Sequence, residues 1–293
     1  MTTTEHEPEM HEGEADIEGL SAFNSEEDTR AQALAAFAEA SKPDVPEIRK
    51  PLDGTVTLQY GHEIAGIRAK SAVVRELRGT DEEALAKLNS NRPDYYAKLT
   101  DMILMRAVES IGTLTQAQSP KELHQAIGKL LMVDRDLLFM HILISTYGET
   151  KEYEEVECPS CGAESDIAVH IPSMVEVHGL PREDHPYVTV KLRSGTDLTL
   201  HYPTGEDQLY VYEMKADATD AEQNTFMIER CIETDIKMPK REFARNLSMA
   251  DRRKIVDALQ KGPSLRFKEV EVSCQSCNSK IPFAFGWADL LFV

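Results

Sequence analysis

The chain has 293 residues, 41% hydrophobic and 28% charged, enough for two ordinary domains or one large one with a packed core. A formal net charge of −19 sets its surface against phosphate backbones and anionic membranes, and no apolar run reaches the ~20 residues that span a bilayer. The five cysteines are an odd number, and the acidic amino terminus lacks the basic start and apolar core of a secretory signal, so the expectation is a cytosolic chain with metal ligands or free thiols rather than a disulfide framework.

In chain order, residues 1–28 hold ten acidic residues and no Lys or Arg, the composition of a solvated tail. A short amphipathic helix is predicted at 29–41, then a proline-rich linker, so 1–53 reads as an acidic disordered arm and linker. The ordered body starts near Gly54. Strands are predicted at 55–60 and 70–77, then a helix over 80–88 with Thr80 as N-cap and Glu83 completing a capping box. Helices at 101–112 and 130–148 lead to EVECPSCGAESDIAVHI (155–171), a strand, a Cys-x-x-Cys turn and a strand. A second series follows. Strands at 187–192 and 197–202 flank a tight RSGT turn. Helices are predicted at 204–214, with Thr204 as N-cap, at 224–235 and at 247–262, and EVEVSCQSCNSKIPFAF (269–285) closes the series on another Cys-x-x-Cys.

The two series share their order and nearly their spacing. Thr80 precedes Arg106 by 26 positions, as Thr204 precedes Arg230; Asp134 precedes Cys158 by 24 and Asp251 precedes Cys274 by 23. Met132-x-Asp134-Arg135 matches Met249-x-Asp251-Arg252, and Cys231 falls where the first series has Ala107. The expected fold is therefore α+β with two pseudo-symmetric repeats, 54–180 and 181–293. Each combines strands, helices and a Cys-x-x-Cys β-knuckle, and the period is far longer than that of a solenoid unit.

A structural zinc needs four ligands and each knuckle supplies two, so a pseudo-twofold arrangement points to one closed site of Cys158, Cys161, Cys274 and Cys277 that joins the repeats. Three other readings of these thiols stand beside it. Redox catalysis wants a Cys-x-x-Cys at a helix N-terminus, whereas strand-like sequence follows both pairs. Simple disulfides would be strained at this spacing, and the pairs could be relics of a lost metal. A catalytic zinc is disfavoured because four thiolates leave no open position. Cys231 reads as a small buried core residue. His62-Glu63 has no second histidine four residues on, a metal role for His170 or His178 around IPSMVEV is disfavoured, and no glycine-rich phosphate loop is present. The paired Asp134-Arg135 and Asp251-Arg252 fit helix starts or contacts across the repeat interface better than catalysis.

Four stretches carry a likeness to a known family: VVRELRGTDEEAL (73–85), LLMVDRDLLFMHILISTYGETKEYEEVECPSCG (130–162), VKLRSGTDLTLHYPTGEDQ (190–208) and VEVSCQSCNSKIPFAFGWADLLF (270–292). Over roughly 55–293 the chain resembles the tailed-phage baseplate hub and tail-assembly proteins, myovirus baseplate proteins among them. It departs from their pattern at Asn278, where Gly is usual; Asn tolerates the left-handed backbone such a turn needs. The resemblance implies a non-enzymatic virion or assembly protein in the host cytoplasm, and then in the tail or baseplate. Its implied partners are hub, tape-measure or tail-tube proteins, with neither nucleic acid nor a membrane span involved. The carboxyl-terminal PFAFGWADLLFV concentrates apolar groups, and Phe283, Phe285, Trp287, Leu290, Leu291 and Phe292 either pack on their own core or anchor in a neighbouring subunit. Two other functions stay open: a zinc-ribbon module for transcription or nucleic acid, against which the acidic first knuckle speaks, and an enzyme with a site in the groove between repeats.

Overall fold

A computed structural model describes residues 54–178, 186–214, 218–268, 270–283 and 286–287. The acidic arm and the helix expected at 29–41 lie outside the described residues. Among the described residues the fold is mixed α+β, with eight α-helices and small antiparallel sheets.

Strand β1 (Thr55–Ile64) turns at Ala65-Gly66 into β2 (Ile67–Val74), and alternate side chains Val56, Leu58 and Tyr60 enter the core. Helix α1 (Gly79–Leu85) and α2 (Tyr95–Ala107) follow. The helix expected over 101–112 stops at Ala107. Val108–Ile111 instead forms β3, which pairs with β2 on one side and with the two-residue β4 (Leu114–Thr115) on the other. The β-branched Val108 and Ile111, both fully buried, gain more from the sheet's core face than from another helical turn. Helix α3 (Pro120–Lys129), which has Pro at its start, leads to α4 (Met132–Tyr147). The strongly apolar α4 runs through the larger core, burying Leu138, Ile142 and Leu143 against β1–β3, α2 and α3.

Strands β5 (Thr150–Glu157) and β6 (Glu164–His170) form a hairpin around the first Cys-x-x-Cys; a 3₁₀ turn (Ile171–Met174) then leads to β7 (Val175–His178). After the hairpin β8 (Tyr187–Lys191) and β9 (Asp197–His201) come α5 (Gly205–Met214), α6 (Asp220–Cys231), α7 (Lys240–Asn246) and α8 (Met249–Gln260). Strand β10 (Ser264–Phe267) pairs with β7, and β11 (Val270–Ser273) with β12 (Lys280–Phe283) encloses the second Cys-x-x-Cys.

The second series has a core of its own, but it also reaches the first: Leu265 is buried in the core of α4 and Phe267 packs against it. Val190, Leu198, Leu200, Ile228, Cys231 and Ile255 form a second core distinct from that of α4. Tyr60, Leu131, Val133 and Tyr202 make a small cluster at the junction. There the Met132 amide donates to Pro203 (3.2 Å) and the Gly205 amide to Leu130 (3.2 Å), tying the starts of α4 and α5 together. The β7–β10 pair is another link.

Candidate metal centre

Each knuckle is built by the same backbone contacts. The Cys158 amide donates to Ala163 and the Gly162 amide returns to Cys158, both at 2.9 Å; Cys274 with Ser279 and Asn278 with Cys274 repeat the pair at the same distances. The return requires a left-handed residue after the second cysteine. Gly162 takes it at φ 70° and Asn278 at φ 59°, so the departure from glycine keeps the turn.

The structure brings Cys158, Cys161, Cys274 and Cys277 into one cluster, all four sulfurs within 4.8 Å of one another. The Sγ atoms of Cys158 and Cys277 are 3.7 Å apart, as are those of Cys161 and Cys274. Four sulfurs at ~2.3 Å from a central zinc in a regular tetrahedron would stand ~3.8 Å from each other, so the observed edges fit that ion. All four thiols are free, and the close pairs run across the two knuckles rather than within each Cys-x-x-Cys. Cys158 and Cys274 are buried with Ile281 between Val156 and Ala163, while Cys161 and Cys277 face outward. Bonds from the hydroxyl and amide of Ser279 hold the Cys277 thiol down to about 6. At Cys161 the Ala163 amide pulls downward, but the thiols of Cys277, Cys274 and Cys158, together with burial, push the group up to about 12. Thiols so close compete for protons, a conflict that a divalent cation held by thiolates removes.

A second group also brings ligand-type atoms close: His201, Asp207 and Cys231. Its chemistry is that of ion pairing. Both His201 ring nitrogens face carboxylates, Nε2 to Asp207 at 2.9 Å and Nδ1 to Glu233 at 2.7 Å, and Arg230 Nε donates to the other Asp207 oxygen at 2.9 Å. Burial pushes the Cys231 thiol up, and its sulfur lies against Met227 in the core. His170 and His178 pair with Glu149 and Glu176 instead of joining the sulfurs.

The recurring Asp-Arg pairs are structural. The Asp134 carboxylate accepts from the amides of Gln59, Tyr60 and Gly61 at 2.6–3.2 Å, closing the outer edge of β1. Asp251 accepts from the Arg193 amide at 3.0 Å, at the end of β8. Fully buried Arg135 donates to the Ile127 carbonyl and to Asp101; Arg252 donates to the Ala244 carbonyl, also eight residues back, and to Thr225. Sequence reasoning missed a further recurring set, in which an aspartate lies between two cations. Arg75 and Arg106 hold Asp81, as His201 and Arg230 hold Asp207. In both, the aspartate also takes an amide three residues back, from Arg78 and from Thr204. Thr204 thus caps its helix as expected. Thr80 does not, because the N-cap of α1 is Arg78, two residues earlier, and Asp81, not Glu83, receives the amide.

Of the carboxyl-terminal apolar residues, Trp287 packs on its own body. Its ring meets Phe267 edge-on at 4.9 Å and Phe139 at 5.6 Å. Phe283 ends β12 opposite Val270. Phe285, Leu290, Leu291 and Phe292 lie outside the described residues. No helix among the described residues is long and apolar enough to cross a membrane.

A family model described as T4 bacteriophage base plate protein matches residues 85–290, a span that includes both knuckles. No curated protein and no solved structure matches the chain. With 206 of its 293 residues under that one model, the chain belongs to the T4 bacteriophage baseplate protein family.

Proposed function

We propose that the chain is a non-enzymatic component or assembly factor of a phage baseplate, acting through protein–protein docking on a body built from two duplicated halves and clamped by one structural zinc. The observation that carries the reading is the cluster of four sulfurs drawn from knuckles more than a hundred residues apart, inside the span shared with the baseplate family. Four thiolates close the coordination sphere, so the metal would hold architecture and leave no position for water or substrate. The duplication rests on the recurring contacts: hairpin, helices and knuckle follow in one order, and the buried Asp-Arg pairs and caged aspartates recur at matching places. The halves are 54–180 and 181–293, with 1–53 as an acidic arm. The partners are other tail or baseplate proteins (hub, tape-measure or tail tube), met in the host cytoplasm during assembly. Phe283, Phe285, Leu290, Leu291 and Phe292 supply an apolar anchor, to which Trp287 gives a footing on the body.

Two measurements test the reading. Elemental analysis of the purified chain with thiol titration should find one zinc per chain, released together with four thiols; a folded chain with four free thiols and no metal overturns the clamp. Affinity purification from infected cells, with mass spectrometry of purified virions, should recover tail or baseplate proteins. Recovery of nucleic acid or metabolic enzymes alone overturns the docking role.

A further inference from the structure

Arg75 and His201 occupy matching places, each six residues before a buried aspartate that a second arginine also holds. Arg75 donates to Asp81 through both Nη atoms, at 2.7 and 3.2 Å, and its guanidinium is charged at every physiological pH. His201 is different in two ways. It spans two carboxylates, Asp207 on α5 and Glu233 just after α6, and its charge depends on a proton. An ionised carboxylate only accepts, so both ring nitrogens must donate, and only the imidazolium can do that.

We propose that His201 is a proton-operated clasp: its imidazolium ties the Glu233 side chain to Asp207 at the start of α5, and loss of the proton frees Glu233 and loosens, without detaching, the segment Ile232–Thr234 along β9. The release falls on Glu233 because the other bond has support. Asp207 keeps Arg230, the Thr204 hydroxyl (2.7 Å) and the Thr204 amide (3.0 Å), and is buried. Glu233 is 47% exposed, and its side chain bonds only to His201 among the described contacts. The segment it anchors lies along β9, where the Glu233 amide donates to Thr199 at 2.9 Å and the Thr199 amide to the Thr234 hydroxyl at 2.7 Å.

The other charges around the ring do not replace the proton. A cavity of about 340 Å³ beside His201 carries His62, Glu63 and Arg68 from the first hairpin, Lys129 from α3 and Glu206 from α5. Arg68 is over the Tyr60 ring and Arg230 over that of Tyr210. Burial and then Lys129 lower His62, so His62 loses its proton before His201 does. Cys231 beneath the ring is held protonated by burial. Burial also acts to lower His201, but its bonds and charge contacts with Asp207 and Glu233 outweigh burial and raise it above 6.5. A group whose folded value is raised stabilises the fold fully below its unfolded value, and that support is lost as pH rises through the folded value. The clasp is therefore closed below about pH 6.5 and opens on the alkaline side of that value.

The test follows His201 by NMR titration of its ring and the segment by hydrogen exchange, from pH 5 to 9, in the full-length metal-loaded chain. The His201 ring should titrate above 6.5. Exchange in 197–201 and 232–234 should rise with pH beyond its intrinsic increase, by about tenfold for each unit of upward shift. His201→Arg, which copies the Arg75 arrangement, should remove the excess, and Glu233→Gln should lower the ring's titration point and shrink the excess while the fold persists. An imidazole that titrates at or below 6.5 overturns the clasp. So does an exchange profile that His201→Arg and Glu233→Gln both leave unchanged.

Discussion

Asn278 holds a backbone conformation, φ 59°, that most L-residues adopt only at a penalty of about 1–2 kcal/mol. Its amide bond back to Cys274 is what turns the chain so that Cys277 faces the other sulfurs. Asn278→Gly should leave the turn and its metal intact. Asn278→Val, with a branch at Cβ, should weaken zinc retention about tenfold in a competition assay with a chromophoric chelator. Equal retention in both variants would show that the turn does not depend on this residue. Asp81 makes a prediction of another kind. Bonds from Arg75, the Arg78 amide and Arg106 outweigh burial and hold its carboxyl well below the usual 3.8. A depressed carboxyl stabilises the fold above its unfolded value and loses that contribution as pH falls below it, so the support is lost progressively as pH drops below about 4. Asp81→Asn should lower the melting temperature at pH 7 but leave a shallower acid limb below pH 4, measured by thermal scans across that range.

At the scale of elements, sequence periodicity and end signals found the hairpins, the long helix α4 and both knuckles, because each is dictated locally by alternation, apolar runs or cysteine spacing. Where long-range contacts decide, they were not legible. Val108–Ile111 continues a helical pattern in sequence, yet its amides and carbonyls are claimed by β2, some thirty-five residues earlier in the chain. Lys240–Asn246 is a short helix held by Arg252 bonding its Ala244 carbonyl, a partner that no local pattern reveals. The junction between halves has the same character. Gly205 looks like an ordinary first-turn glycine, but a Cβ there would lie 2.4 Å from Cζ and Nη1 of the fully buried Arg135. Gly205→Ala should therefore destabilise the chain by about 2–3 kcal/mol, since neither the guanidinium nor the helix start can withdraw freely. Asp134→Ala, which leaves the Gln59, Tyr60 and Gly61 amides without their acceptor, should cost about 3 kcal/mol. Urea denaturation reads both. A loss below 0.5 kcal/mol in either would mean that the α4–β1 contact or the α4–α5 contact is not a load on the fold.

The whole molecule is organised around the separation of its two cysteine pairs. Two cores bury most of the apolar surface, a larger one around α4 that takes in Leu265 and a smaller one of β8, β9, α6 and α8, and the sulfurs form a cluster apart from both. Apart from the knuckles, the two series are joined by the β7–β10 pair, by the small cluster of Tyr60, Leu131, Val133 and Tyr202, and by Leu265, Phe267 and Trp287 on the larger core. A zinc held by both knuckles would add to these a link whose binding free energy is about 10–16 kcal/mol in isolated zinc modules. Closing a loop of that length adds little further entropy, since the penalty grows only logarithmically with chain length. Removal of the metal should therefore loosen the knuckle end while leaving the two cores folded. With a high-affinity chelator under reducing conditions, the melting temperature should fall by at least about 10 °C, given ~2–4 °C per kcal/mol for a chain of this size. Hydrogen exchange should accelerate first in β5–β6 and β11–β12 and leave α4 and α6 protected. Cys158→Ser with Cys274→Ser should reproduce the chelated state without any chelator. Equal melting temperatures with and without metal, or loss of protection in α4 together with the knuckles, would show that the sulfur cluster does not act as a local clamp.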